Sequence, residues 1–176
     1  MTAGYLEREL GSFLLFLCVF LLKITITESA PVTESSPVKD LTMHRLFERA
    51  SGLTETIIGA AIEVHRDKGP GLMESIYEWC LIRELALRGL NCVSQKVVRV
   101  EYKGATRDEI LRFDVLVEGC VLVEVKAMEK VTSIHKAQLL SYMKLLDVPV
   151  GLLINFHEMK LIDGVSRLVL HGAGKP

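Results

Sequence analysis

Residues 120–127 read CVLVEVKA, an apolar run of strand length interrupted only by Glu124 and Lys126. Side chains two apart in a strand point to the same side, so these two charges share one face of a sheet. A charge inside such a strand is costly unless it is paired, bound to a metal or set at a cleft. The run before it, ILRFDVLV at 110–117, is broken in the same way by Asp114, between Phe113 and Val115. Whether Asp114 and Glu124 share a face depends on the turn between the strands. A two-residue loop at Glu118-Gly119 pairs Val117 with Cys120 and sends the two carboxylates to opposite faces. A three-residue loop with a left-handed Gly119 pairs Leu116 with Cys120 and sets Asp114 opposite Leu122, diagonally beside Glu124. A metal shared by the two acids requires the odd-length loop. The plainer alternative is a ladder of Asp/Glu–Lys salt bridges on a solvated face.

The elements around these strands define an α/β domain. Residues 53–68 place Ile57, Ile58, Ala61, Ile62 and His65 at helical spacing, with Thr54 as N-cap and Gly69-Pro70 as the stop. A second helix runs from about Leu72 to Arg88, ends at Gly89 and reads as largely buried, Trp79 included. Strands follow at 96–102, 110–117 and 120–127, separated by Lys103-Gly104 and Glu118-Gly119. A third helix spans about Ser133–Leu146 behind a Thr132/Ser133 cap. Pro149 then precedes an apolar strand, VGLLINF at 150–156. A last hairpin is expected to pair MKLI (159–162) with VSRLVL (165–170) across Asp163-Gly164. The order α-α-β-β-β-α-β-β gives a sheet that mixes an antiparallel meander with a crossover strand.

Charge and composition exclude more than they assign. The chain has 176 residues, about one domain's worth, and 49% of them are apolar, ample for one packed core and incompatible with a disordered chain. A net charge of −1 supplies no global attraction to nucleic acid or to acidic membranes. Residues 83–144 carry 11 basic against 8 acidic side chains, a modest local excess. Cys18, Cys80, Cys92 and Cys120 form no CxxC pair and no zinc spacing, which suits separate thiols in a reducing compartment.

Residues 1–42 differ from the body at 43–176. Leu10–Leu22 is an apolar run too short to span a bilayer, which takes roughly 20 residues. Its length fits a secretory signal with small residues at Thr27 and Ser29, but Glu7 and Glu9 cancel the charge of Arg8. Exported or membrane-attached through residues 10–22 is one reading; an upstream extension with Met43 as the working start is the other. The unpaired cysteines favour a cytoplasmic body.

Two helices add polar groups. His135, Gln138 and Tyr142 fall at i, i+3 and i+7 of the third helix, a polar stripe among apolar neighbours that suits the border of a cleft. Glu74 lies in the first turn of the second helix, where an acid also complements the helix dipole.

GPGLMESIY at 69–77 spaces Gly71, Glu74 and Tyr77 as in the GxxExxY proteins, and the chain resembles that family within the PD-(D/E)XK nuclease superfamily. ETIIGAAIEVHRDKGPG, RFDVLVEG, VLVEVKA, HKAQLLSYMKLL and VGLLINF continue the likeness, which covers about Leu53–Leu170. It implies a restriction-endonuclease-like α/β core, a mixed β-sheet flanked by helices. It makes Asp114 the metal-binding aspartate, Glu124 and Lys126 the (D/E)XK pair, and Glu74 a third acid for the metal. Gln138 and Tyr142 match a QxxxY helix that supports the site, Gln138 by holding the attacking water or a phosphate; Gly71 and Tyr77 support it from the motif. Phe113 stands before the aspartate where the superfamily has proline. His135 is a weaker candidate, and His65, His157 and His171 receive no role. The resemblance further implies Mg²⁺ or Mn²⁺, hydrolysis of phosphodiester bonds, and DNA or RNA as partner, with a homo-oligomer as a further option and no membrane partner for the body. The competing expectation is a catalytically silent nuclease-fold module that binds protein or nucleic acid.

Overall fold

The computed structural model describes residues 43–174. The apolar run at 10–22, with both readings of it, lies outside the described residues. Among these, the elements are α1 (Phe47–Lys68), α2 (Glu74–Leu87), β1 (Cys92–Tyr102), β2 (Ala105–Val117), β3 (Val121–Lys126), α3 (Ser133–Leu146), β4 (Val150–Asn155) and β5 (Val165–Val169), with a 3₁₀ turn at Leu161–Gly164. The strands form one sheet in the order β1-β2-β3-β4-β5, antiparallel except for the parallel β3/β4 pair. Parallel neighbours need a crossover, and α3 provides it.

Alternation along β3 divides the core into two layers. Val121, Val123 and Val125 pack with Ala50, Ile57, Tyr77 and Leu81 of α1 and α2. Leu122 packs on the other face with Leu139 and Met143 of α3. β3 and β4 are buried along their whole length, as strands covered on both faces must be. A side chain on Gly151 of β4 would stand 2.6 Å from Met143 Sδ and 3.2 Å from Leu139, so α3 sits close over this glycine. The architecture is a restriction-endonuclease-like α/β fold, a mixed sheet flanked by helices. No helix among the described residues is long and apolar enough to cross a membrane.

Several expectations change. The first helix begins at Phe47, and Thr54 lies inside it with its hydroxyl on the Ala50 carbonyl (3.2 Å), because buried Ala50 extends the apolar stripe backward. The second helix starts at Glu74, and Trp79 is 68% exposed, since Tyr77, Cys80, Leu81 and Leu85 fill the inward face. MKLI is not a strand: Met159 is 82% exposed, Leu161 plugs the core, and β5 pairs with β4 directly.

The turn between β2 and β3 is a three-residue loop, Glu118-Gly119-Cys120, with Val117 opposite Val121. Glu118 and Gly119 both take positive φ (51° and 67°). The loop is odd-length but lies one residue later than the alternative that paired Leu116 with Cys120. The register ends at Val115↔Val123, and with Phe113 in the α3-side cluster and Val115 in the other, side alternation breaks at Asp114. On its other edge β2 is irregular. β1 passes from Val93 to Gln95 while β2 passes from Leu116 to Arg112, so Phe113, Asp114 and Val115 together face Ser94. Asp114 sits in a β-bulge, a device that bends a strand and re-aims a side chain.

Candidate functional site

The bulge directs Asp114 across to β3, where its Oδ2 accepts the backbone N–H of Val125 at 2.7 Å. This contact lies one step past the last β2–β3 pair, where the strands separate. Glu124 and Lys126, on the α3 side of β3, are 5% and 9% exposed, and Lys126 Nζ lies 2.8 Å from Glu124 Oε1. Glu74, from the helical layer on the opposite face, brings its Oε1 to 3.3 Å from the same ammonium. Lys126 therefore joins two carboxylates from two layers.

The electrostatics follow from this crowding. Burial, aided by the neighbouring Glu124 charge, pushes the Asp114 carboxyl up to about 7, against the opposing pull of the Val125 N–H and Lys126. Burial draws the Lys126 ammonium down, but its hydrogen bond and charge pairing with Glu124, joined by Asp114 and Glu74, prevail and hold it above the ordinary lysine value. Such a pair is sensitive to loss of either member, because the survivor is left charged and buried.

Glu78, which the sequence reading passed over, also belongs to this neighbourhood. It is half-buried one turn after Glu74, and burial, then Glu74 and Glu124, raise its carboxyl. Its spacing of four from Glu74 is the signal that would have found it. Asn155, 1% exposed, was likewise missed. It accepts the Met128 N–H at 3.1 Å and donates to the Met128 carbonyl at 2.8 Å, fixing the chain as it leaves β3.

The GxxExxY residues build the loop that presents Glu74. Gly71 has φ 98°, open to glycine and strained for other residues. Tyr77 is fully buried; its hydroxyl donates to the Gly69 carbonyl at 2.6 Å and accepts the Leu72 N–H at 3.0 Å. On α3, Gln138 and Tyr142 are half-buried and joined by a contact of 3.4 Å from Gln138 Nε2 to the Tyr142 hydroxyl. Tyr142 packs with the cluster of Phe113 and Leu122, on the face that carries Glu124. His135 accepts the Thr132 N–H at 3.2 Å and so caps α3. His65 bonds to the Glu158 carbonyl at 2.8 Å.

Among the described residues no three His, Cys, Asp or Glu side chains converge closely enough to hold one metal ion. Of the three acids that the resemblance implies for a metal, Glu74 places its Oε1 on Lys126 Nζ, at 3.3 Å. Asp114 and Glu124 fit a small divalent cation in kind. They are hard oxygen donors of like charge, near enough that the charge of Glu124 raises Asp114, and Mg²⁺ is commonly held by one or two carboxylates and completed by water. A groove of ≈ 550 Å³ lies elsewhere, lined by Ser51, Thr54, Glu55, Ile58, Ile62 and Arg167 among others, and none of these is a site residue.

A family model described as PD-(D/E)XK nuclease superfamily matches residues 51–168, a span from within α1 to within β5. No curated protein and no solved structure matches the chain. The matched span encloses the bulged aspartate of β2, the glutamate and lysine two apart on β3 and the crossover helix behind them, and on that ground the chain belongs to the PD-(D/E)XK nuclease superfamily.

Proposed function

We propose that this chain is a divalent-metal-dependent nuclease that hydrolyses phosphodiester bonds of DNA or RNA, a member of the GxxExxY group. The observation that carries this reading is the meeting of Asp114, Glu124 and Lys126 at the point where β2 and β3 part. Asp114 and Glu124 would hold Mg²⁺ or Mn²⁺. A bound ion supplies Lewis-acid polarisation of a phosphate oxygen and an acidified water.

The chain's own residues do the rest. The Val125 N–H fixes one oxygen of Asp114, so that carboxylate is preorganised. Lys126 keeps a buried positive charge beside the two acids, where it offsets negative charge growing on the phosphate. Gln138, tied to Tyr142, offers an amide on the helix over this face to hold water or a phosphate oxygen.

The test is incubation of the full chain with labelled DNA and RNA oligonucleotides and Mg²⁺ or Mn²⁺. Cleavage that disappears with EDTA and falls sharply in Lys126→Ala supports the reading; no cleavage of either polymer, or a Lys126→Ala that cleaves as fast as wild type, refutes it. A second reading, a catalytically silent nuclease-fold module, draws on the two carboxylates that already neutralise Lys126. A thermal midpoint indifferent to Mg²⁺ and Mn²⁺ would select it.

A further inference from the structure

We propose that Glu74 is a positioning residue that acts on Lys126 and does not bind the metal: with Glu124 it clamps the ammonium in one place at the β2–β3 fork. The catalytic consequence rests on the nuclease reading above; the clamp itself does not. Two residues from Glu124 on the same face, Lys126 would have one partner on its own strand and a long stem with about 2 kcal/mol of rotamer entropy. The second carboxylate comes from the other layer, and its oxygen lies 3.3 Å from Nζ against 2.8 Å for Glu124.

The backbone around the clamp forms a closed circuit. Tyr77 ties both ends of the loop that leads into Glu74, through the Gly69 carbonyl and the Leu72 N–H. Its ring stacks on Phe156, with centroids 4.4 Å apart and planes 14° from parallel. The Phe156 N–H donates to the carbonyl of Lys126 at 2.7 Å. The residue whose ammonium Glu74 grips is thus held at its backbone by the residue on which the Glu74 loop is stacked. A glutamate that served only the helix dipole would need none of this connection to β3.

The experiment uses the full chain, Mn²⁺ alone as the binding probe, and an oligonucleotide for cleavage. Glu74→Gln is expected to bind Mn²⁺ within about twofold of wild type while kcat falls about 10–100-fold, the loss typical of a supporting partner. Glu74→Gln combined with Lys126→Ala is expected to be no slower than Lys126→Ala alone, since both remove one device. Mn²⁺ affinity lowered tenfold or more by Glu74→Gln, or losses that multiply in the double variant, would overturn the proposal. Should wild type bind Mn²⁺ without cleaving, the nuclease reading falls, and the clamp is judged by urea unfolding of the metal-free variants. Non-additive losses between Glu74 and Lys126 support it there, and additive ones overturn it. Should Glu74→Gln fail to fold, Tyr77→Phe takes its place: lower kcat at unchanged Mn²⁺ affinity supports the clamp, and any other pattern overturns it.

Discussion

The backbone N–H of Val125 donates to the side chain of Asp114, so the acid itself closes the β2–β3 ladder where a main-chain carbonyl would ordinarily accept. One oxygen is thereby used by the fold, and the carboxylate is held in the crowded space beside Glu124. A pH dependence follows. The folded state keeps a proton on Asp114 up to about 7, whereas the unfolded chain releases it near the ordinary 3.8. Between these values the folded state binds more protons, so stability is fullest near the lower one and is lost as pH rises through the upper. Asp114→Asn keeps an acceptor for Val125 and carries no charge. In EDTA it is expected to match wild type near pH 4.5 and to exceed it by roughly 1–2 kcal/mol at pH 8.5, after allowance for partial exposure. Urea unfolding across that range is the measurement, and a deficit at pH 8.5 would contradict the assignment.

A cation that relieves the repulsion between Asp114 and Glu124 should stabilise the folded state. At pH 8, Mg²⁺ or Mn²⁺ at a hundred times its dissociation constant is expected to add about 2.7 kcal/mol to wild type. The gain should vanish in Asp114→Asn and in Glu124→Gln. Thermal denaturation with and without metal reads this directly.

Tyr77→Phe removes only a hydroxyl, yet that oxygen serves both Gly69 and Leu72. With these backbone groups left without a partner beside the buried ring, a loss of about 1–3 kcal/mol is expected. Amide exchange should show the loosening concentrated at residues 69–74.

Gly151→Val places carbon where Met143 and Leu139 already stand. Overpacking of this kind costs about 1–3 kcal/mol. The loss should shrink when Met143→Ala is added, because the two changes share one space; a double-mutant cycle in urea measures the coupling.

Much of the fold was readable because its signals are local. Gly69 and Gly89 end their helices at positive φ, and the largely apolar runs of β3 and β4, broken in β3 by Glu124 and Lys126, mark strands covered on both faces. Local pattern failed where a segment's partner lay far off. MKLI has strand composition, but the edge of β4 was taken by β5. Trp79 sits on a mostly apolar helix, yet faces solvent because four other residues fill the inward side. The pairing of Gly71 with Glu74 and Tyr77 was legible as a motif, whereas its purpose, a tyrosine closing the loop on itself, needed coordinates.

The amino-acid order alone determined that Glu124 and Lys126 share a face, since a strand repeats every two residues whatever surrounds it. It also determined that Asp114 interrupts an apolar strand and that Glu74 lies in the first turn of a helix. Only the tertiary structure decided that these groups meet. A bulge opposite Ser94 and a loop of Glu118, Gly119 and Cys120 set where Asp114 points. Glu74 reaches Lys126 because α2 packs on the far face of the sheet and the strands part at that spot. Strand register and layer packing are fixed by sums of distant contacts, and no window of local sequence contains them.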